Sequence, residues 1–145
     1  MMMRAKSVAG LAMLVGAAQL AVAASPLRPG LWEVVVQADL GGAASAPPPS
    51  RMCLSQKDID DTSKTWPKPS ANCTIVAPKT VDDKTSYDLI CPGPPPMRGR
   101  ADLRSAPTSY DGTILMTMKA GPNQPDRPVK FTFSGRRVGD CGNAK

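Results

Sequence analysis

Residues 72–91 read NCTIVAPKTVDDKTSYDLIC, two apolar runs on either side of Val81-Asp82-Asp83-Lys84 with a cysteine near each end. Folding the stretch back on itself at that turn sets Cys73 opposite Cys91, Ile75 opposite Leu89 and Ala77 opposite Tyr87. The apolar partners then share one face. A slip of one residue would send the whole set to the other side, so the cysteine pairing and the apolar pairing support the same register. The stretch therefore predicts an antiparallel hairpin closed by a Cys73–Cys91 bridge, which leaves Cys53 to bond Cys141.

A hairpin that already specifies its own register gains stability from the bridge. The chain holds only two Trp, two Tyr and two Phe in 145 residues, a lean supply for a core. Chain entropy assigns about 3 kcal/mol to the short loop closed by Cys73–Cys91 and about 4–5 kcal/mol to the long loop closed by Cys53–Cys141. Those contributions are comparable with the net stability of a small domain, about 5–15 kcal/mol. Zinc held by four thiolates is the competing use of these cysteines, but no C-x-x-C pair is present, and an even count in an exported chain favours disulfides.

Export is expected from the N-terminus. Arg4 and Lys6 precede an apolar run from Val8 to Val22 that ends in Ala21-Val22-Ala23, the charge, apolar stretch and small-residue site of a secretory signal peptide. The run is interrupted by Gly16 and Gln19 and is shorter than the roughly 20 residues a spanning helix needs. Cleavage after Ala23 would leave residues 24–145 as one domain, with no membrane span and with two fewer basic charges than the formal net of +6. A charge so mild, with acids interspersed and few aromatics, does not suit nucleic acid.

Period-2 alternation recurs along the chain and marks strands with one apolar face. In LWEVVVQADL, Trp32, Val34, Val36, Ala38 and Leu40 fall on one side. In MRGRADLR, Met97, Gly99, Ala101 and Leu103 turn inward, and Arg98, Arg100, Asp102 and Arg104 outward. SYDGTILMTMK places Tyr110, Ile114, Met116 and Met118 together, and VKFTF does the same for Val129, Phe131 and Phe133. A turn at Ala106-Pro107-Thr108-Ser109 sets Met97 against Met118, Ala101 against Ile114 and Arg104 against Asp111. The expected fold is all-β, an antiparallel meander forming a curved sheet or partly closed barrel of about six to eight strands.

Sixteen prolines and twelve glycines disfavour helices. GGAASAPPPS at 41–50 reads as a loop, and PGPPP at 92–96 as a rigid corner. One short helix is expected after Cys53, because Ser55 with Asp58 three residues on forms a capping box; it should end before Trp66-Pro67-Lys68-Pro69.

Together, RPGLWEVVVQADL, RMCLSQKDI, SYDLIC, YDGTILMTMK and the closing FSGRRVGDC resemble the small exported bacterial proteins of the domain of unknown function 3617 family. That resemblance covers nearly the whole chain after residue 23. It implies a periplasmic all-β domain with four cysteines, and it brings no catalytic residues.

Several chemistries are excluded by composition. The chain has no histidine, so Ser-His-Asp hydrolysis, Cys-His proteolysis and most zinc catalysis are absent. The acidic groups Asp58-Asp60-Asp61 and Asp82-Asp83 fall at a helix start and a turn, where capping accounts for them better than glycosidic chemistry does. Met52, Met97, Met116 and Met118 raise a thioether copper site, but their faces coincide with that of core residues. No cofactor is expected. Arg98, Arg100 and Arg104, joined by Arg136 and Arg137, offer a basic stripe to an envelope protein or an anionic lipid surface, and the same stripe would serve as a hydrated face that discourages edge pairing. Trp66 is the large apolar side chain without an obvious place in the sheet; it would cover the sheet end or meet a partner. The sequence thus points to a non-enzymatic exported binding or envelope-associated module, with a carrier of a small apolar ligand inside a barrel as the alternative and a histidine-free enzyme as the weakest reading.

Overall fold

A computed structural model describes residues 25–42 and 47–142. The expected signal peptide, residues 1–23, lies outside them. The elements are β1 (Gly30–Asp39), β2 (Ser50–Leu54), α1 (Gln56–Asp60), α2 (Thr62–Thr65), β3 (Thr74–Val81), β4 (Lys84–Cys91), β5 (Met97–Ala106), β6 (Ser109–Met118) and β7 (Arg127–Gly139). The strands form one antiparallel sheet in the order β2-β1-β7-β6-β5-β4-β3. The sheet does not close, so the alternative of a barrel interior is replaced by one covered face.

The meander β5–β6 has the expected register, with Met97 opposite Met118, Ala101 opposite Ile114 and Arg104 opposite Asp111. The opening hairpin holds its register near the cysteines, where Ile75 faces Leu89, and shifts nearer the turn, where Val81 faces Lys84. Ala77 is therefore not paired with Tyr87 as expected. The two-residue turn at Asp82-Asp83 and the bridge at the far end demand registers one step apart. The surplus residue is absorbed at Ala77-Pro78, where Ala77 has φ 49° and the proline has no N–H to contribute. The same bulge blunts β3 as an edge strand.

Two elements differ from expectation at the start of the chain. β2 pairs with β1, placing Cys53 opposite Leu31, although residues 50–54 show no alternation and mostly face solvent. Leu40, expected inward, is one residue past the end of β1 and is 67% exposed. The helix after Cys53 is present with its full capping box at Ser55 and Asp58, and a further turn, α2, follows an extended Asp61.

The buried residues line one face: Trp32 and Val34 from β1, Tyr87 and Leu89 from β4, Ala101 and Leu103 from β5, Tyr110, Ile114 and Met116 from β6, Val129 and Phe133 from β7. Trp32 stacks on Tyr110 with ring centroids 5.6 Å apart, and Tyr110 in turn meets Phe133 at 6.2 Å. This ring cluster needs missing side chains beside it. Gly135 lies between Tyr110 and Val34 in the sheet, and a Cβ there would run into the Tyr110 ring. Gly112 faces Phe133 in the same way. Each glycine leaves the space that an aromatic ring on the neighbouring strand fills.

Covering this face is the work of residues 55–73, which lead from edge strand β2 to edge strand β3 at the opposite side of the sheet. α1 contacts β2 and α2 contacts β3. Ile59 and Trp66 are buried beneath the segment at 1% and 3% exposure. The Tyr87 hydroxyl donates to the Pro67 carbonyl at 2.7 Å, tying the segment to β4. Both disulfides are as expected: Cys53–Cys141 with Cα atoms 5.5 Å apart, and Cys73–Cys91 with Cα atoms 4.1 Å apart. The first reaches from the end of β7 past β1 to β2, and the second joins the end of the covering segment to β4.

Gly135→Ala should lower the unfolding free energy by about 1–3 kcal/mol through overpacking against Tyr110. Gly139→Ala, which meets nothing within 4 Å, should leave it within about 0.5 kcal/mol, as surface changes do; urea denaturation of both variants checks the contrast. Thiol exchange also requires access. Cys73 and Cys91 are buried whereas Cys53 and Cys141 are exposed, so limited reduction followed by alkylation and peptide mass analysis should label Cys53 and Cys141 first.

Candidate functional site

Arg98, Arg100, Arg104 and Arg136 lie on the uncovered face of the sheet, where most of their charge is compensated, whereas Arg137, across from the buried Trp32, lies on the other face. Arg100 pairs with Asp88 at 3.3 Å and with Asp102 at 3.8 Å. Arg104 turns from Asp111, its cross-strand neighbour, to Asp83 in the hairpin turn at 3.2 Å. Arg136 pairs with Glu33 at 3.2 Å, and Arg137 donates to the Pro29 carbonyl at 2.8 Å. Arg98 is the member of the stripe without an ion pair among the described residues. A shallow hollow of about 550 Å³ is lined by Lys79, Lys84, Arg100, Asp102, Arg104 and Asp111. Ligand pockets are mainly apolar with a few placed polar groups, whereas here six charges of both signs, with Arg100, Asp102 and Arg104 ion-paired, share the lining with Val81 and Leu103.

The covered face offers a better match. Trp66, considered as a partner-contacting side chain, is buried and so is withdrawn from any partner surface. It lines a cleft of about 250 Å³ between the sheet and the covering segment, with Val34 and Val36 of β1, Tyr110 of β6 and Met52 of β2 on one side and Thr65 to Ala71 on the other. Lys64 and Lys68 also line it. Pro67 and Pro69 keep the chain from continuing α2 as a helix across this part of the sheet.

Two of the residues that line this cleft carry buried donors. The Trp66 indole Nε1 is buried without a hydrogen-bond partner, whereas the Trp32 indole donates to the Arg28 carbonyl at 3.1 Å. A buried donor left unpaired costs about 1–3 kcal/mol, so the Trp66 environment is one that an acceptor would stabilise. Tyr110 is also buried, and burial pushes its hydroxyl up to about 12. Burial, with a smaller contribution from Tyr110, raises Tyr87 as well. Both phenols are therefore neutral donors at neutral pH.

The other sequence candidates separate. Asp58 is spent on the helix cap, accepting from the Ser55 hydroxyl at 2.6 Å and from the Ser55 N–H at 3.0 Å, and these bonds hold its carboxyl below the usual range. Asp60 accepts from Gln56 at 3.0 Å, and Asp82 and Asp83 form the hairpin turn. Met116 is buried in the core, and Met97 with Met118 packs at its border. Met52 is exposed on edge strand β2, apart from the other three. Among the described residues no group of three or more Cys, Asp or Glu side chains is placed to hold a metal ion, and no helix is long and apolar enough to cross a membrane.

A protein family described as "Protein of unknown function (DUF3617)" matches residues 27–141, from the first buried leucine to the last cysteine. The chain belongs to the DUF3617 family. The match takes in every strand, both helical turns and all four bridged cysteines. No curated protein matches the chain, and no solved structure does. Family membership thus carries no assigned activity to the cleft, whose lining residues Val34, Val36, Met52, Lys64, Lys68 and Tyr110 were not grouped by sequence reasoning. The unplaced Trp66, set between helix and prolines, was the signal that pointed to them.

The chain's two tyrosines give the site a pH signature. Tyr110 ionises near 10.0 when unfolded and at about 12 when folded. Its contribution to stability is therefore complete below pH 10 and is lost as pH rises towards 12, because the unfolded chain releases its proton first. Alkaline titration should show phenolate absorbance emerging together with loss of near-ultraviolet circular dichroism. Early phenolate absorbance in a chain that keeps its folded signal would contradict the burial of these rings.

Proposed function

We propose that this member of the family is a non-enzymatic binding module of the periplasm that holds a small, mainly apolar ligand in the cleft beneath Trp66. The single observation that carries the reading is the apolar cleft between sheet and covering segment, lined by Val34, Val36, Met52, Trp66 and Tyr110. An apolar lining with a few donors is the usual composition of a ligand site.

Export is supported by the Arg4 and Lys6 start, the apolar run and the Ala21-Val22-Ala23 site, together with two disulfides of the kind that persist in oxidising compartments. The absence of histidine from the whole chain and the use of Asp58, Asp60, Asp82 and Asp83 in caps and turns favour binding over catalysis.

Titration with a neutral naphthylamine dye tests the reading. A saturable fluorescence increase at one site is expected. Ala71→Trp, at an exposed loop position lining the cleft, should abolish it while leaving the circular dichroism of the protein unchanged. Dye binding that survives this substitution, or no binding to the folded protein, would contradict the assignment. Native mass spectrometry of protein recovered from the periplasm should, on the same reading, show a mass above that of the polypeptide.

A further inference from the structure

We infer that the ligand is a single-chain carboxylate of medium length, its tail in the cleft and its head group between Lys64 and Lys68. The inference rests on the ligand-site reading above and adds the sign of the ligand's charge and its size.

Charge is argued from the lining. Among the residues around the cleft are two lysines and no carboxylate. Asp61 approaches Lys64 only to 3.9 Å, and both side chains are largely exposed, so screening leaves that pair weak. Lys68 is half-buried and has no ion pair among the described residues. Lysine stems lie along apolar surface while the ammonium group reaches water, which sets two positive charges at the edge of an apolar cleft. A cationic ligand would bring its charge to two ammonium groups, one of them on the half-buried Lys68. A neutral chain would leave them unanswered. An anion complements both lysines.

Size follows from the volume. A cleft of about 250 Å³ falls below the roughly 300–1,000 Å³ of pockets that take drug-sized ligands and suits a short apolar chain. That is the tail of a medium-chain acid, with the head at the lysines. Val34, Val36, Met52 and Pro67 supply the apolar contact, at about 0.8 kcal/mol for each buried methylene.

The test uses the full disulfide-bonded protein, labelled with nitrogen-15, and three probes with the same tail: octanoate, octanol and octyltrimethylammonium. The Trp66 indole resonance reports on the cleft, and the Trp32 indole, already bonded to the Arg28 carbonyl, is the internal reference. Octanoate should shift the Trp66 resonance saturably, leave that of Trp32 in place, and bind at least tenfold more tightly than octanol. The double variant Lys64→Gln, Lys68→Gln should erase that advantage while preserving octanol binding and the rest of the spectrum. Equal affinity for octanoate and octanol, or preference for octyltrimethylammonium, would overturn the carboxylate assignment and leave the cleft as a ligand site. A Trp66 resonance indifferent to all three probes, with no binding by calorimetry, would overturn both readings.

Discussion

The covering segment between Cys53 and Cys73 is fastened to the sheet at both ends by disulfides, one to Cys141 beyond β7 and the other to Cys91 on β4. An open sheet with one apolar face must bury that face against something. Among the described residues there is no long helix to lay over it. It uses two helical turns and a proline-rich stretch, a connection too short and too irregular to dock stably by propensity alone. The bridges convert that weak cover into part of the core by limiting how far it can move in either direction. The Tyr87 hydroxyl, donating to Pro67, adds a polar tie near its middle.

Surface electrostatics contribute little to this arrangement. The ion pairs are exposed, and such pairs are worth about 0–1 kcal/mol each. Their effect is local: Arg104 with Asp83 braces the first hairpin against β5, and Glu33, reached by both Arg51 and Arg136, links three neighbouring strands. The covered side differs in having an apolar cleft with no carboxylate among its lining residues. The uncovered side has the greater charge and the larger hollow, yet Arg100 and Arg104 are already occupied.

Much of the sheet was legible in the sequence because alternation and cysteine placement report the same geometry. Met97 opposite Met118 and Cys73 opposite Cys91 follow from counting, and the folded chain has both. Counting failed where two constraints on one strand disagree: the bulge at Ala77-Pro78 reconciles the Asp82-Asp83 turn with the bridge, and neither alone requires it. Strand β2 was illegible for a different reason. Its side chains are mostly exposed on an edge, so no alternating pattern was selected by burial. The capping box at Ser55 and Asp58 announced the helix, but the path of the chain beyond it depends on burial of Trp66 in the core, which no local pattern encodes. For the same reason the arginines stood out in the sequence while the cleft residues, spread over three strands and a loop, did not.

Hydrogen exchange, measured with the bridges intact and again after reduction, tests this account most directly. Amides of residues 55–71 should lose protection on reduction well before those of β5, β6 and β7, whose register depends on neither bridge. Unchanged protection of 55–71 in the reduced protein would show that the segment holds its place without the disulfides, and would contradict the account.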